Sequence, residues 1–110
     1  IMAKIAEKSQ PLADSIRALM FVFDDLVKVD DHVHIAHNCQ IAEGAVITAG
    51  ATIAGSVRIG AGAWIGPNAT ISDGCAIGAD VFIGAGAVVL RDCLTPGVYS
   101  GNPARKFADR

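Results

Sequence analysis

The chain has 110 residues, room for one domain and not for two independent modules. Its 9 basic and 11 acidic residues leave a formal charge of −2, which excludes the electrostatic footprint of a nucleic-acid binder or of a protein held on an anionic membrane. Apolar residues make up 52% of the chain, yet the longest unbroken apolar run, Ala18 to Phe23, falls far short of the roughly 20 residues of a membrane span. No charged segment followed by an apolar one and a cleavage site opens the sequence, so the expected location is the cytoplasm, without peripheral membrane contact. Cys39, Cys75 and Cys93 contain no C-x-x-C pair and leave one thiol over however they are joined, so they are expected to be buried and reduced.

Residues 1–22 form the first expected element, a helical cap. From Pro11 to Met20 the spacing of Leu12, Ile16, Leu19 and Met20 predicts a short amphipathic helix, with Pro11 suited to its first turn.

From residue 23 to 94 the chain is organised by a six-residue repeat. Val29, Ile35 and every sixth residue as far as Val89 are β-branched aliphatics, without a slip. The residue two places before each is small or β-branched, as in Val33, Cys39, Ala45, Ala51 and Val57. A period of six is foreign to an amphipathic helix, whose apolar stripe recurs at three and four residues. It suits short strands, in which the anchor and the residue two before it lie on one face of the pleat. One such unit cannot bury its apolar side alone, so successive units must stack as a solenoid.

This hexad resembles that of the bacterial hexapeptide-repeat acyltransferases. The resemblance implies an all-β fold, a left-handed parallel β-helix of about four coils, each coil a triangle of three hexads. Residues 18 apart are then vertical neighbours at about 4.8 Å, the separation of adjacent strands. On that spacing Cys39, Val57, Cys75 and Cys93 form one inward column, and Ile35, Ile53, Ile71 and Val89 another. Trp64, just before the anchor Ile65, should face outward, and Pro67-Asn68 should turn a corner.

Thr95-Pro96-Gly97 breaks the repeat, and residues 95–110 are expected to form a C-terminal loop and tail. Within them Gly101-Asn102-Pro103-Ala104-Arg105 resembles the segment that closes the β-helix in many members of the same family.

Chemistry concentrates in one place, since all three histidines, His32, His34 and His37, lie within six residues. The hexad phase directs His32 and His34 outward and puts His37 near a corner. Three imidazoles can hold zinc, but His37 is displaced around the coil from the other two, and no metal site is assigned. The stretch Val29-Asp30-Asp31-His32-Val33-His34-Ile35-Ala36-His37-Asn38 resembles the catalytic stretch of the lipid A pathway acyltransferases, above all the UDP-3-O-acylglucosamine N-acyltransferase family. Ile53-Ala54-Gly55-Ser56 and Pro96-Gly97-Val98-Tyr99-Ser100-Gly101 resemble the same family.

That resemblance implies His37 as general base and the backbone N–H of Gly55, one coil beyond, as oxyanion donor. It also implies substrate contacts from Asn38, Asp30, Asp31 and His34. An imidazole titrating near neutral pH fits a base that must deprotonate an attacking amine. Where that family has a second functional histidine, this chain has Gly74. The implied activity moves an acyl group from acyl carrier protein or a CoA thioester to the amine of a nucleotide-linked amino sugar, by a homotrimer with no permanently bound cofactor. Three alternatives stand beside it: an acetyl-CoA-dependent nucleotide-sugar acetyltransferase, a UDP-N-acetylglucosamine O-acyltransferase, and a non-catalytic trimeric β-helix scaffold.

Overall fold

The computed structural model describes residues 20–22 and 27–109. Among them the strands are β1 (Met20–Val22), β2 (Lys28–Val29), β3 (His34–Ile35), β4 (Cys39–Ile41), β5 (Val46–Ile47), β6 (Thr52–Ile53), β7 (Arg58–Ile59), β8 (Trp64–Ile65), β9 (Thr70–Ile71), β10 (Ala76–Ile77), β11 (Val81–Ile83), β12 (Val88–Val89), β13 (Gly97–Ser100) and β14 (Arg105–Ala108). The expected helix at Pro11–Met20 lies outside the described residues except for Met20, which begins a strand.

Strands three apart in sequence pair in parallel, so the stack has three outer faces. Face A is ordered β1-β4-β7-β10, face B β2-β5-β8-β11-β13-β14, and face C β3-β6-β9-β12. The register is the one the repeat demands: Ile35 lies opposite Ile53, Ile41 opposite Ile59 and Ile47 opposite Ile65, each 18 residues on. This is a left-handed β-helix of about four turns, against the usual right-handed rule for parallel crossovers. The anchors from Ile41 onward and the small residues two before them make the core, with Ile41, Ile47, Ile53, Ile65, Ile71 and Ile83 fully buried. No polar side chain is buried with them among the described residues.

The corners obey a second six-residue rule. From His32 to Gly86 every sixth residue has a positive φ, including the non-glycines His32, Asn38, Ser56, Asn68 and Asp80 at 58–63°. This left-handed conformation turns the chain from one face to the next, and it explains why glycine, Asn and Asp fill most of these places. Pro67-Asn68 turns a corner in this way, as expected.

The regular spacing ends after Val89, which still pairs with Ile71. Cys93 then bridges Ile77, and Gly97 and Tyr99 pair with Val81 and Ile83, all 16 residues apart instead of 18. The inward column of Cys39, Val57 and Cys75 therefore does not continue to Cys93, which takes the place of an aliphatic anchor above Ile77. Two residues are lost from the corner at Leu90-Arg91-Asp92, and the Asp92 carboxylate accepts the Ala76 N–H at 2.8 Å. The final stretch, expected as loop and tail, carries β13 and β14, paired antiparallel. Alternation survives there: Gly97 and Tyr99 are buried while Val98 and Ser100 are half-buried, and the Tyr99 hydroxyl donates to the Thr95 carbonyl at 2.9 Å.

The three cysteines are free and buried, as expected. Burial pushes each thiol up from its ordinary value, Cys93 to about 11, where the nearby Cys75 and Asp92 add to the shift. At neutral pH they stay protonated and serve as small core residues.

Two substitutions test this account. Ile53→Ala should cost about 2–5 kcal/mol by leaving a cavity between stacked coils, whereas Thr52→Ala on the outside should stay within about 0.5 kcal/mol, both read from urea unfolding. His32→Gly should stabilise the chain by about 0.5–1 kcal/mol in the same measurement. It relieves a side chain in the left-handed region (about 1–2 kcal/mol) at the cost of glycine's extra chain entropy (about 0.5–1 kcal/mol).

Candidate active site

The corner between faces C and A is built by the same three positions in every coil. After β3 come Ala36, His37 and Asn38, and after β6 come Ala54, Gly55 and Ser56. The anchor points inward and the third residue adopts positive φ, at 63° for Asn38 and 59° for Ser56, so the middle residue stands out from the corner. His37 occupies that middle position and is exposed.

Hydrogen bonds along the stack bring Gly55 onto His37. Ser56 N–H donates to the His37 carbonyl at 3.0 Å, and Gly74 N–H donates to the Gly55 carbonyl at 2.9 Å. A Cβ on Gly55 would lie 3.3 Å from His37 Cε1, 3.6 Å from Nε2 and 3.7 Å from Nδ1, so the imidazole rests against the bare α-carbon. The Gly55 N–H donates to no group among the described residues and remains available to a ligand. Two side-chain bonds hold the corner: Asn38 Nδ2 donates to Ser56 Oγ at 3.1 Å on the outside, and the Cys39 thiol donates to the Ala54 carbonyl at 3.1 Å on the inside.

Of the residues singled out by sequence, the structure brings His37, Gly55 and Asn38 together and adds Ser56. Asp30 and Asp31 stand at another corner, between β2 and β3, where the Asp31 backbone carbonyl accepts from Gly50 N–H at 3.0 Å. His34 lies on face C, exposed, beside Thr52. In one chain the width of β3 separates the aspartates from His37. Sequence reasoning passed over Asp73, which continues the column His37–Gly55 one coil further and is exposed. The 18-residue rule alone would have found it. At Gly74, with φ +76°, the space where a side chain would begin is open.

Comparison with known proteins assigns the repeat. Residues 56–91 match the family model described as bacterial transferase hexapeptide (six repeats). The chain carries a bacterial transferase hexapeptide repeat. Residues 3–49 match a second model, the FliG C-terminal domain. Over 27–49 the structure is nonetheless part of the hexapeptide stack, a full coil and the start of the next, with β2 paired to β5. Among solved structures, the chain resembles LpxA from Acinetobacter baumannii at 30% identity and a TM-score of 0.71, covering 74% of this chain and 32% of that one. It also resembles a mutant of GDP-perosamine N-acetyl transferase from Caulobacter crescentus, in complex with CoA and GDP-perosamine, at 25% identity and a TM-score of 0.59, covering 96% of this chain and 65% of that one. A maltose O-acetyltransferase from Clostridium difficile shares the fold at 23% identity and a TM-score of 0.50, covering 87% of this chain and 73% of that one. The chain thus spans about a third of the first of these hexapeptide-repeat structures and just under two thirds of the second. These matches show the hexapeptide repeat and its fold shared over part of each of these proteins.

Gly55→Ala separates architecture from site. Its φ lies outside the left-handed region, so the backbone tolerates alanine, but the new methyl at 3.3 Å must push the imidazole aside. The His37 ring resonances should shift in an NMR spectrum while the melting temperature moves by no more than about 2 °C, the effect of a surface substitution.

Proposed function

We propose that the chain transfers an acyl group from a thioester to the amine of a nucleotide-linked amino sugar, with His37 as general base and the Gly55 N–H as oxyanion donor. The observation that carries this reading is the contact between the His37 imidazole and the bare Gly55 corner, beside an amide left free. An amine must lose a proton as it attacks a thioester carbonyl, and an imidazole within reach takes it. The carbonyl oxygen becomes an oxyanion, which an outward backbone N–H stabilises without reorganisation. When the tetrahedral intermediate collapses, the C–S bond breaks and the imidazolium returns its proton to the leaving thiolate. The amide product and a free thiol remain, and charge and protons balance.

Asn38, tied to Ser56, fixes the two corners relative to one another and so sets the distance between base and oxyanion donor. Support for a CoA thioester and a nucleotide-sugar acceptor comes from the perosamine N-acetyl transferase relative, whose structure holds CoA and GDP-perosamine. The finer reading, acyl transfer to a UDP-linked acylglucosamine in lipid A biosynthesis with acyl carrier protein as donor, rests on the resemblance of residues 29–38 and 53–56. A homotrimer belongs to the same reading, because a single corner offers one wall of a cleft and a neighbouring copy would supply the other.

Turnover of short-chain acyl-CoA and of long-chain acyl carrier protein with a UDP-linked amino sugar tests the proposal, followed by thiol release. His37→Ala should lower kcat by about 10²–10⁴-fold, the usual share of a general base, with the unfolding curve unchanged. Equal turnover by His37→Ala and the parent chain would remove His37 from the chemistry. Absence of turnover in both, with every donor, would leave the scaffold reading in its place.

A further inference from the structure

Two outer faces meet at the His37–Gly55 corner, and they differ in charge. Face C presents His34, Thr52, Thr70 and Val88 in a row, none with a fixed charge. Face A presents Gln40, Arg58 and Ala76, and beyond them Asp92, whose carboxylate accepts the Ala76 N–H. Along this row runs a groove of about 360 Å³, lined by Gln40, Arg58 and Ala76 together with Ile41, Ile59 and Gly60. Arg58 is exposed and makes no ion pair among the described residues. Carboxylates border the other directions, with Asp73 on the corner one coil beyond Gly55 and Glu43 and Asp80 at the far corner between faces A and B.

Gln40 follows His37 by three residues, and Arg58 follows Gly55 by three. At about 3.3 Å of rise per residue the groove opens within about 10 Å of the reacting corner. One sugar ring and the phosphate attached to it bridge such a gap. An anion leaving the corner along face C meets no fixed cation, and one moving up the corner meets Asp73; on face A it meets Arg58 on the coil of Gly55, two coils before Asp92.

We infer that Arg58, assisted by Gln40, holds the phosphate of the acceptor in the face A groove and so selects phosphorylated, nucleotide-linked amino sugars over free ones. The inference rests on the proposed role of the His37 corner. A guanidinium fork matches two phosphate oxygens at once, the Gln40 amide supplies a further donor, and the apolar floor takes the sugar's less polar face. Arg58 is here a specificity residue and takes no part in the proton transfers.

Binding can be read without turnover, by calorimetry on the His37→Ala chain with three probes: a UDP-linked amino sugar, UDP alone, and the same amino sugar without the nucleotide. Adding Arg58→Ala should weaken the first two by about 10–100-fold, the loss expected for one charged hydrogen-bonded pair, and leave the third unchanged. Arg58→Lys should recover part of the loss, since it restores the charge without the fork. In the chain with His37 intact, Arg58→Ala should raise KM for the nucleotide-linked acceptor and not for the thioester. Equal binding of all three probes with and without Arg58, no binding of UDP to the parent chain, or a KM effect confined to the thioester would each overturn the inference. Arg58-dependent binding of UDP in a chain that turns over no thioester would sink the proposed reaction and still support the phosphate site.

Discussion

Each coil is held to the next by hydrogen bonds that run along the stack, as from Lys28 N–H to the Ala45 carbonyl, Val46 N–H to Ala63 and His34 N–H to Ala51. From β2 to β12 these bonds keep one repeat length, 18 residues, whereas β1 pairs with β4 at 19. Over that stretch eighteen residues return the chain to the same place, and the anchors stay in line. Three consequences follow from the same ladder: the buried isoleucine columns, the Gly55 N–H left without a partner among the described residues, and the placing of Gly55 on His37.

The ladder also shows what happens when the length changes. At Leu90-Arg91-Asp92 the coil loses two residues, an even number, so inward and outward positions keep their parity. Cys93 and Tyr99 can then replace aliphatic anchors over Ile77 and Ile83 without exposing the core. The missing backbone acceptor for Ala76 N–H is supplied by the Asp92 carboxylate. A loss of one residue would have turned the whole last coil inside out.

A site at a corner profits from this rigidity. The corner residues have few degrees of freedom, because positive φ at Asn38 and Ser56 and the bonds above and below fix the backbone. An exposed imidazole is thereby held against the bare Gly55 corner. The bland core beneath it, free of buried polar groups among the described residues, has no competing chemistry: its thiols are held in the protonated form by burial.

Much of this was legible in 110 letters because a solenoid converts sequence distance into spatial distance. The six-residue period of Ile and Val determined the architecture, the inward columns and the vertical pairing of His37 with Gly55, since each depends only on counting. Counting failed where the count itself changed, and Cys93 was assigned to the wrong column because nothing in Leu90-Arg91-Asp92 announces a shorter corner. The strands within 95–110 were hidden by Pro96 and Gly97, which read as loop although Gly97 pairs with Val81. Counting also sets Asp31 and His37, six residues apart, at different corners and stacks Asn38 on Ser56. Tertiary structure alone decided that the Asn38 amide reaches the Ser56 hydroxyl and that the imidazole lies against Gly55. Side chains on a folded triangle meet through corner angles and ring orientation, which no period records.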